Sequence, residues 1–205
     1  MKSFKSAFAA GFMISIGAAC FLSCKSKTIG ALLFCVALFT ICVFNLNLYT
    51  GMVGYFFEIK NKLEIFIVWL GNLAGGAFGT VLLRAARHDI IDKATVLVTA
   101  KLNQSLLQTA VLALFCGVLM FIAIHNNKTN KSDIHRLFGL IVCIMTFILC
   151  GFEHSIADVC YFWFSVDSVE LLLRAVWYVL LVSVFNAIGA IMFNELTKNA
   201  ENAAQ

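Results

Sequence analysis

The chain has 205 residues, of which 61% are hydrophobic and 13% are charged, whereas soluble domains carry about 25% charged residues. Its net charge of +4 is small and scattered. This composition excludes an ordinary water-facing domain and does not suggest nucleic-acid binding. The eight cysteines form no CxxC pair and lie mostly in or beside apolar blocks. We therefore expect buried free thiols, with no metal and no cofactor.

Six apolar regions follow one another, separated by short polar clusters. In chain order they are Ser6–Leu22, Thr28–Phe57, Ile65–Leu83, Leu106–Ile124, Leu137–Phe164 and Leu171–Phe193. The first follows Lys2 and Lys5, as the core of a signal peptide would, but it is long enough to span a bilayer. We therefore predict an uncleaved first span and an all-α integral membrane protein with six transmembrane helices.

Regions two and five do not have the pattern of simple spans. Asn45 and Asn47 interrupt region two, and the segment 151–154 interrupts region five. In lipid, a broken helix survives only where protein or a water-filled cavity covers its free backbone groups. We therefore predict that the second and fifth transmembrane helices are broken and that a site lies where the two breaks meet.

A weak internal repeat relates the two halves of the chain. An Asn-x-x-Gly motif occurs in region three as Asn72–Gly75 and again in region six as Asn186–Gly189. Three spans per half imply an inverted repeat, which predicts one transmembrane domain, 1–197, with halves of about 1–101 and 102–197. The predicted tail is 198–205. If both termini are cytoplasmic, slightly more Lys and Arg lie on the cytoplasmic side than on the outer side. This favours cytoplasmic termini in a multi-pass protein of the cell (inner) membrane.

The segment 151–158, Gly-Phe-Glu-His-Ser-Ile-Ala-Asp, places Glu153 and His154 inside an apolar region. Ionisable groups at membrane depth usually face a pathway or a bundle interior. Two interpretations of His154 stay open, a group on a transport pathway and a structural histidine bonded to a neighbouring helix. The first interpretation favours a pore for small monovalent anions, since imidazole can both donate a hydrogen bond and carry a proton.

This segment closely resembles the GFEHSxAN motif of the formate/nitrite transporter family. Three other segments agree in order and spacing, and the resemblance runs from about residue 2 to 195. Asn47–Gly51 resembles the family's loop in the second span, 71–75 resembles its GNLxG motif, and 186–189 resembles its GNIIG motif.

The resemblance implies an aquaporin-like fold of two inverted halves and a homopentamer with one pore in each protomer. It also implies transport of formate, nitrite, hydrosulfide, lactate or acetate across the lipid bilayer, without enzymatic activity. The implied pathway residues are His154, Thr50, Lys101, Asn72 and Asn186. The implied constrictions are Phe34, Leu38 and Tyr49 on the cytoplasmic side, and Leu48, Met120 and Phe147 on the outer side.

From these residues we expect Lys101 to draw anions into a funnel and His154 either to donate a hydrogen bond or to supply a proton. Glu153 is expected to bind loop N–H groups, and Asp158 to lie near a helix start. The chain departs from the family pattern at Gly117 and Asp158, where the family has asparagine, and few residues precede the first region.

Two alternatives come from other classes. An aquaporin-type neutral-solute pore would carry paired Asn-Pro-Ala boxes, and this chain has no proline. A haem or quinone subunit would need several histidines within spans, and only His154 lies inside one of the apolar regions.

Overall fold

The computed structural model describes residues 2–203, with side chains described for 2–198, and every regular element in that part of the chain is helical. The α-helices in chain order are α1 Lys2–Ser23, α2 Lys27–Val43, α3 Tyr49–Met52, α4 Lys62–Ala86, α5 Ile91–Leu102, α6 Leu106–Thr129, α7 Asp133–Cys150, α8 Ser155–Ser165 and α9 Val169–Ala203. Short 3₁₀ turns at Val53–Tyr55 and His88–Ile90 follow α3 and precede α5.

Polar side chains fix where several of these helices begin. Ser26, Asn61 and Ser132 accept backbone N–H groups at the starts of α2, α4 and α7. Ser105 forms a reciprocal capping box at the start of α6. Such caps satisfy N–H groups that have no partner within the helix.

Helix α7 ends at Gly151 with a left-handed backbone, φ 70°. Glycine adopts that conformation without steric cost, so it both stops α7 and redirects the chain toward α8.

Within residues 2–203, five helices are long and apolar enough to cross a membrane, namely α1, α4, α6, α7 and α9. Helix α2 is apolar but shorter, with 17 residues. Regions two and five of the sequence are each divided, into α2 and α3 and into α7 and α8. The outward faces carry exposed large apolar side chains, among them Phe39, Phe66, Phe115 and Trp177, as expected of a protein that lies in lipid or against other subunits.

The helices pair in the same way in each half of the chain. Helix α1 packs against α4 and α2, and α6 packs correspondingly against α9 and α7. Two glycines permit the closest approaches. A Cβ on Gly75 would lie 1.9 Å from the Phe8 carbonyl oxygen, and one on Gly189 would lie 2.0 Å from that of Leu114. The glycine of each Asn-x-x-Gly motif is therefore required by helix packing.

Two segments differ from the plain polar connections that the sequence suggested. The stretch between α4 and α6 forms α5, which brings Lys101 inward against α8. At the other end, α9 continues through Lys198 to Ala203, so the helix runs into the predicted tail 198–205, whose last two residues lie outside the described part of the chain.

Candidate functional site

The asparagine of the first motif holds the break between α2 and α3. Asn72 Nδ2 donates to the carbonyl oxygens of Ala7, at 2.7 Å, and Asn47, at 2.9 Å. Its Oδ1 accepts from the Tyr49 N–H at 2.7 Å. The side chain is fully buried, so these bonds satisfy backbone groups that have left the helical pattern.

Asn186 does the same for the break between α7 and α8. Its Nδ2 donates to the carbonyl oxygens of Ala113, at 2.7 Å, and Glu153, at 2.8 Å, and its Oδ1 accepts from the Ser155 N–H at 3.0 Å. The internal repeat in the sequence therefore corresponds to a repeated contact. Both motif asparagines commit their amide groups to the main chain rather than to a cavity.

Gly117, which stands where the family has asparagine, lies at the crossing of α6 and α9. A Cβ there would lie 2.1 Å from the Asn186 carbonyl oxygen. Helix packing at this crossing therefore requires glycine.

The two breaks meet at a hydrogen bond between Thr50 and His154. Thr50 Oγ1 lies 3.0 Å from His154 Nε2, and both side chains are buried. His154 also caps α8, because its Nδ1 accepts the Ala157 N–H at 3.1 Å. The Phe147 ring stacks on the imidazole, with centroids 5.6 Å apart.

This bonding pattern assigns the tautomer of His154. A ring nitrogen that accepts a backbone N–H carries no hydrogen, so Nδ1 is bare and Nε2 carries the hydrogen of the neutral ring. Nε2–H therefore donates to the Thr50 hydroxyl. To become an imidazolium, His154 would have to protonate Nδ1 and break the cap of α8.

The six residues implied as constrictions are all buried. Phe34 and Phe147, which were expected on opposite sides of the pathway, have rings that meet edge to face with centroids 5.8 Å apart. Leu48 lines a cavity at the break between α2 and α3.

Tyr49 was expected to narrow the pathway on the cytoplasmic side. Its hydroxyl donates to the Ser183 carbonyl oxygen at 3.1 Å, and it belongs to an apolar cluster with Val53, Ile65 and Phe121. Thr50, the next residue of α3, makes the hydrogen bond to His154. Leu38 and Met120 belong to the same apolar core as Phe34 and Leu48.

Lys101 is not the exposed funnel cation that the sequence suggested. Its side chain is 9% exposed and contacts the carboxylates of Glu153, through a hydrogen bond to Oε2, and of Asp158, whose Oδ1 lies 2.9 Å away. Glu153 Oε1 accepts from Gln104 Nε2 at 2.8 Å. Glu153 therefore binds side chains of the α5–α6 segment rather than the expected loop N–H groups.

Gln104 is the residue that sequence reasoning missed. Its Oε1 also accepts from Thr109 and Tyr178 hydroxyls, at 3.1 and 3.2 Å, so it links Glu153 to α6 and α9. Its only signal in the sequence is its position three residues after Lys101. Asp158 lies in the first turn of α8, as expected.

Two cavities lie near the breaks. One, of about 400 Å³, is lined by polar residues that include Asn45, Asn47 and Lys128, together with Leu48. The other, of about 70 Å³, is lined by His154, Lys101, Asp158, Phe147 and others. The smaller cavity has room for a few water molecules or one small anion.

The described fold and site define a class: a helical membrane protein in which two helix breaks meet at a buried histidine beside a small cavity. Comparison with known proteins gives the family. The model of the family "Formate/nitrite transporter" matches residues 1–199. The chain belongs to the formate/nitrite transporter family, as its motifs indicated. The match does not favour the aquaporin-type alternative.

Two curated relatives match the chain over part of its length. The formate channel FocA of Haemophilus influenzae is 23% identical over 150 residues, which cover 65% of this chain and 52% of that protein. The uncharacterized transporter YwcJ of Bacillus subtilis is 24% identical over 144 residues, covering 62% and 56%. The chain thus matches about half the length of these relatives.

Solved structures share the fold over nearly the whole chain. A pentameric formate channel with formate bound superposes with a TM-score of 0.80 at 21% identity, covering 95% of this chain and 94% of that one. An FNT family ion channel gives a TM-score of 0.80 at 20% identity, covering 94% and 87%.

Proposed function

We propose that this protein is a pore or transporter for small monovalent anions or their weak acids, with His154 at its centre. The substrate class comprises formate, nitrite, hydrosulfide and short monocarboxylates. The proposed topology has six crossing segments in inverted halves, 1–101 and 102–197, with α2–α3 and α7–α8 as the broken second and fifth segments. The protein would act as a homopentamer in the cell (inner) membrane, with cytoplasmic termini and a cytoplasmic tail 198–205.

The observation that carries this proposal is the hydrogen bond between Thr50 and His154. It joins the two breaks at 3.0 Å, and His154 lines a cavity of about 70 Å³. A buried histidine that served only to hold helices together would not need a cavity at its ring. The bond also supplies a donor and a hydroxyl that a permeating anion can borrow.

His154 would act mainly as a hydrogen-bond donor. Its neutral Nε2–H is already oriented by the α8 cap, so an anion can replace Thr50 Oγ1 as acceptor without reorganising the break. The Thr50 hydroxyl can then rotate and donate to the same anion. If the neutral ring instead gave up its Nε2 hydrogen, neither ring nitrogen would carry a hydrogen, which is less favourable.

An apolar narrowing made by Phe34 and Phe147 would select the species that passes. The Phe147 ring stacks on the imidazole and meets the Phe34 ring, and neither ring offers a hydrogen bond to a solute. An unpaired ion loses much of its solvation free energy in such surroundings, whereas a protonated weak acid loses far less. Small monovalent anions whose conjugate acids are neutral therefore fit this pathway best.

The deciding experiment is flux into proteoliposomes with formate, nitrite, hydrosulfide, acetate and lactate. The variant His154→Phe removes the donor and should strongly reduce flux while leaving the assembly intact. The variant His154→Asn keeps a donor and should retain part of the flux. His135→Phe is the matched control, because His135 lies at the exposed start of α7.

Two results would overturn the proposal. If His154→Phe transports as well as the parent, the histidine is structural. If the asparagine variant is as inactive as the phenylalanine variant while both remain folded, the imidazole acts by proton transfer and not as a donor. Light scattering in detergent that gives a monomer, dimer or tetramer would refute the pentamer.

A further inference from the structure

Lys101, Glu153 and Asp158 form a buried cluster with one cation and two carboxylates. The side chains are 9%, 1% and 1% exposed. If all three were ionised, the cluster would carry one uncompensated negative charge at membrane depth. Such a charge is costly, and two carboxylates that share one partner relieve it by holding a proton between them.

The hydrogen bonds indicate which carboxylate holds that proton. Both oxygens of Glu153 accept hydrogen bonds, one from Lys101 and one from Gln104. Asp158 Oδ1 lies 2.9 Å from the Lys101 ammonium, yet neither Asp158 oxygen makes a well-oriented hydrogen bond. Asp158 has the Lys101 contact alone, whereas Glu153 has two donors, so Asp158 is the poorer place for a negative charge and the proton belongs there.

Asp158 also has access to the pathway. It lines the cavity of about 70 Å³ together with His154, and its own N–H donates to the His154 carbonyl oxygen at 2.9 Å. A proton on Asp158 therefore lies beside the cavity that also borders His154.

The other charged groups nearby do not supply a second cation to the cluster. Lys27 lines the same cavity but donates to the Leu149 carbonyl oxygen at 3.1 Å. Arg84 of α4 donates to carbonyl oxygens at the end of α8. Helix α1 meets α8 with the Phe21 ring against Tyr161. The titratable groups around Asp158 also include the thiols of Cys116 on α6 and Cys160 on α8, and the phenols of Tyr161 on α8 and Tyr178 on α9.

We propose that Asp158 is a proton-binding site on the transport pathway. It carries the proton that neutralises the cluster and delivers it to a weak-acid anion held at His154. In that step the Asp158 O–H bond breaks, an O–H bond forms on the anion, and the acid leaves neutral. Lys101 stabilises the aspartate until water in the cavity returns a proton. This inference rests on the proposed pore function, and it assigns this chain a group that the asparagine of the family motif cannot provide.

Infrared difference spectroscopy of the purified protein tests the protonation without requiring transport. At neutral pH the parent should show the C=O stretch of a buried protonated carboxyl group. The variant Asp158→Glu should shift the frequency of that band, whereas the exposed control Asp89→Asn should leave it unchanged. Both Asp158→Asn and Glu153→Gln should lose the band, because Lys101 then balances the single carboxylate that remains. A parent without the band, or a band whose frequency is unchanged in Asp158→Glu, would overturn the assignment.

Formate flux with a pH-sensitive dye inside phosphatidylethanolamine/phosphatidylglycerol vesicles tests the delivery step. The parent should acidify the lumen as formate enters. Asp158→Asn should slow formate uptake and the acidification that goes with it, with a flatter dependence on external pH, because the apolar narrowing passes the protonated acid far better than the ion. Unchanged acidification in Asp158→Asn would refute delivery from Asp158. Absence of formate and nitrite flux in the parent would refute the pore itself, and the infrared bands would still decide the proton site.

Discussion

The two asparagine clamps make a quantitative prediction about stability. The variant Asn72→Ala removes an acceptor from the buried Tyr49 N–H and two donors from the carbonyl oxygens of Ala7 and Asn47. An orphaned buried N–H costs about 1 to 3 kcal/mol, and each lost hydrogen bond within a membrane protein costs roughly 0.6 kcal/mol. The expected destabilisation is therefore about 2 to 4 kcal/mol.

Asn186→Ala should cost the same, because Asn186 makes the corresponding three bonds to Ala113, Glu153 and Ser155. The matched control is Asn61→Ala, since Asn61 is exposed and makes one capping bond, to the Leu63 N–H. Loss of such a cap costs about 1 kcal/mol.

The assay is thermal unfolding in detergent, followed by circular dichroism, together with formate flux in proteoliposomes. Both clamp variants should melt clearly below the Asn61→Ala control and should lose flux, because the breaks they hold carry Thr50 and His154. If either clamp variant melts with the control, the bonds do not hold the breaks and the repeat has no structural role.

Three further predictions concern packing and charge. Gly75→Ala should disrupt the packing of α4 against α1 and lower the melting temperature, because its Cβ would lie 1.9 Å from the Phe8 carbonyl oxygen. Gly76→Ala should melt closer to the parent, because its Cβ would lie 3.3 Å from its nearest contact, the flexible Cys160 side chain. Lys101→Met should lower stability by about 3 to 5 kcal/mol by stranding its carboxylate partners, and flux should keep the parent's salt dependence. The hydrogen bond from Arg87 lowers the pKa of Asp89 to about 2, so its stabilising contribution is present above the ordinary value near 3.8 and is lost as pH falls through about 2. Carboxyl NMR should show this low midpoint, and Arg87→Ala should return it to the ordinary range, whereas an unchanged midpoint would exclude the pair as the cause.

The sequence by itself determined the class and the family of this protein. Apolar blocks are local features, and their lengths predicted membrane-crossing helices because each helix satisfies its own backbone. The interruptions at Asn45–Asn47 and at 151–154 are local too, and the structure ends α2 and α7 there. Motifs in a fixed order then indicated the family that the comparison confirmed.

Only the tertiary structure decided how the site is built. Lys101 follows a polar stretch, which is typical of an exposed cation, but α5 carries it to two carboxylates that lie far along the chain. Nothing in the sequence indicates which way Tyr49 turns or that Phe34 meets Phe147, because side-chain direction at a break depends on the partners across it. Pairing a charge, choosing a tautomer and closing a narrowing all depend on contacts between distant segments, and those exist only once the helices have packed.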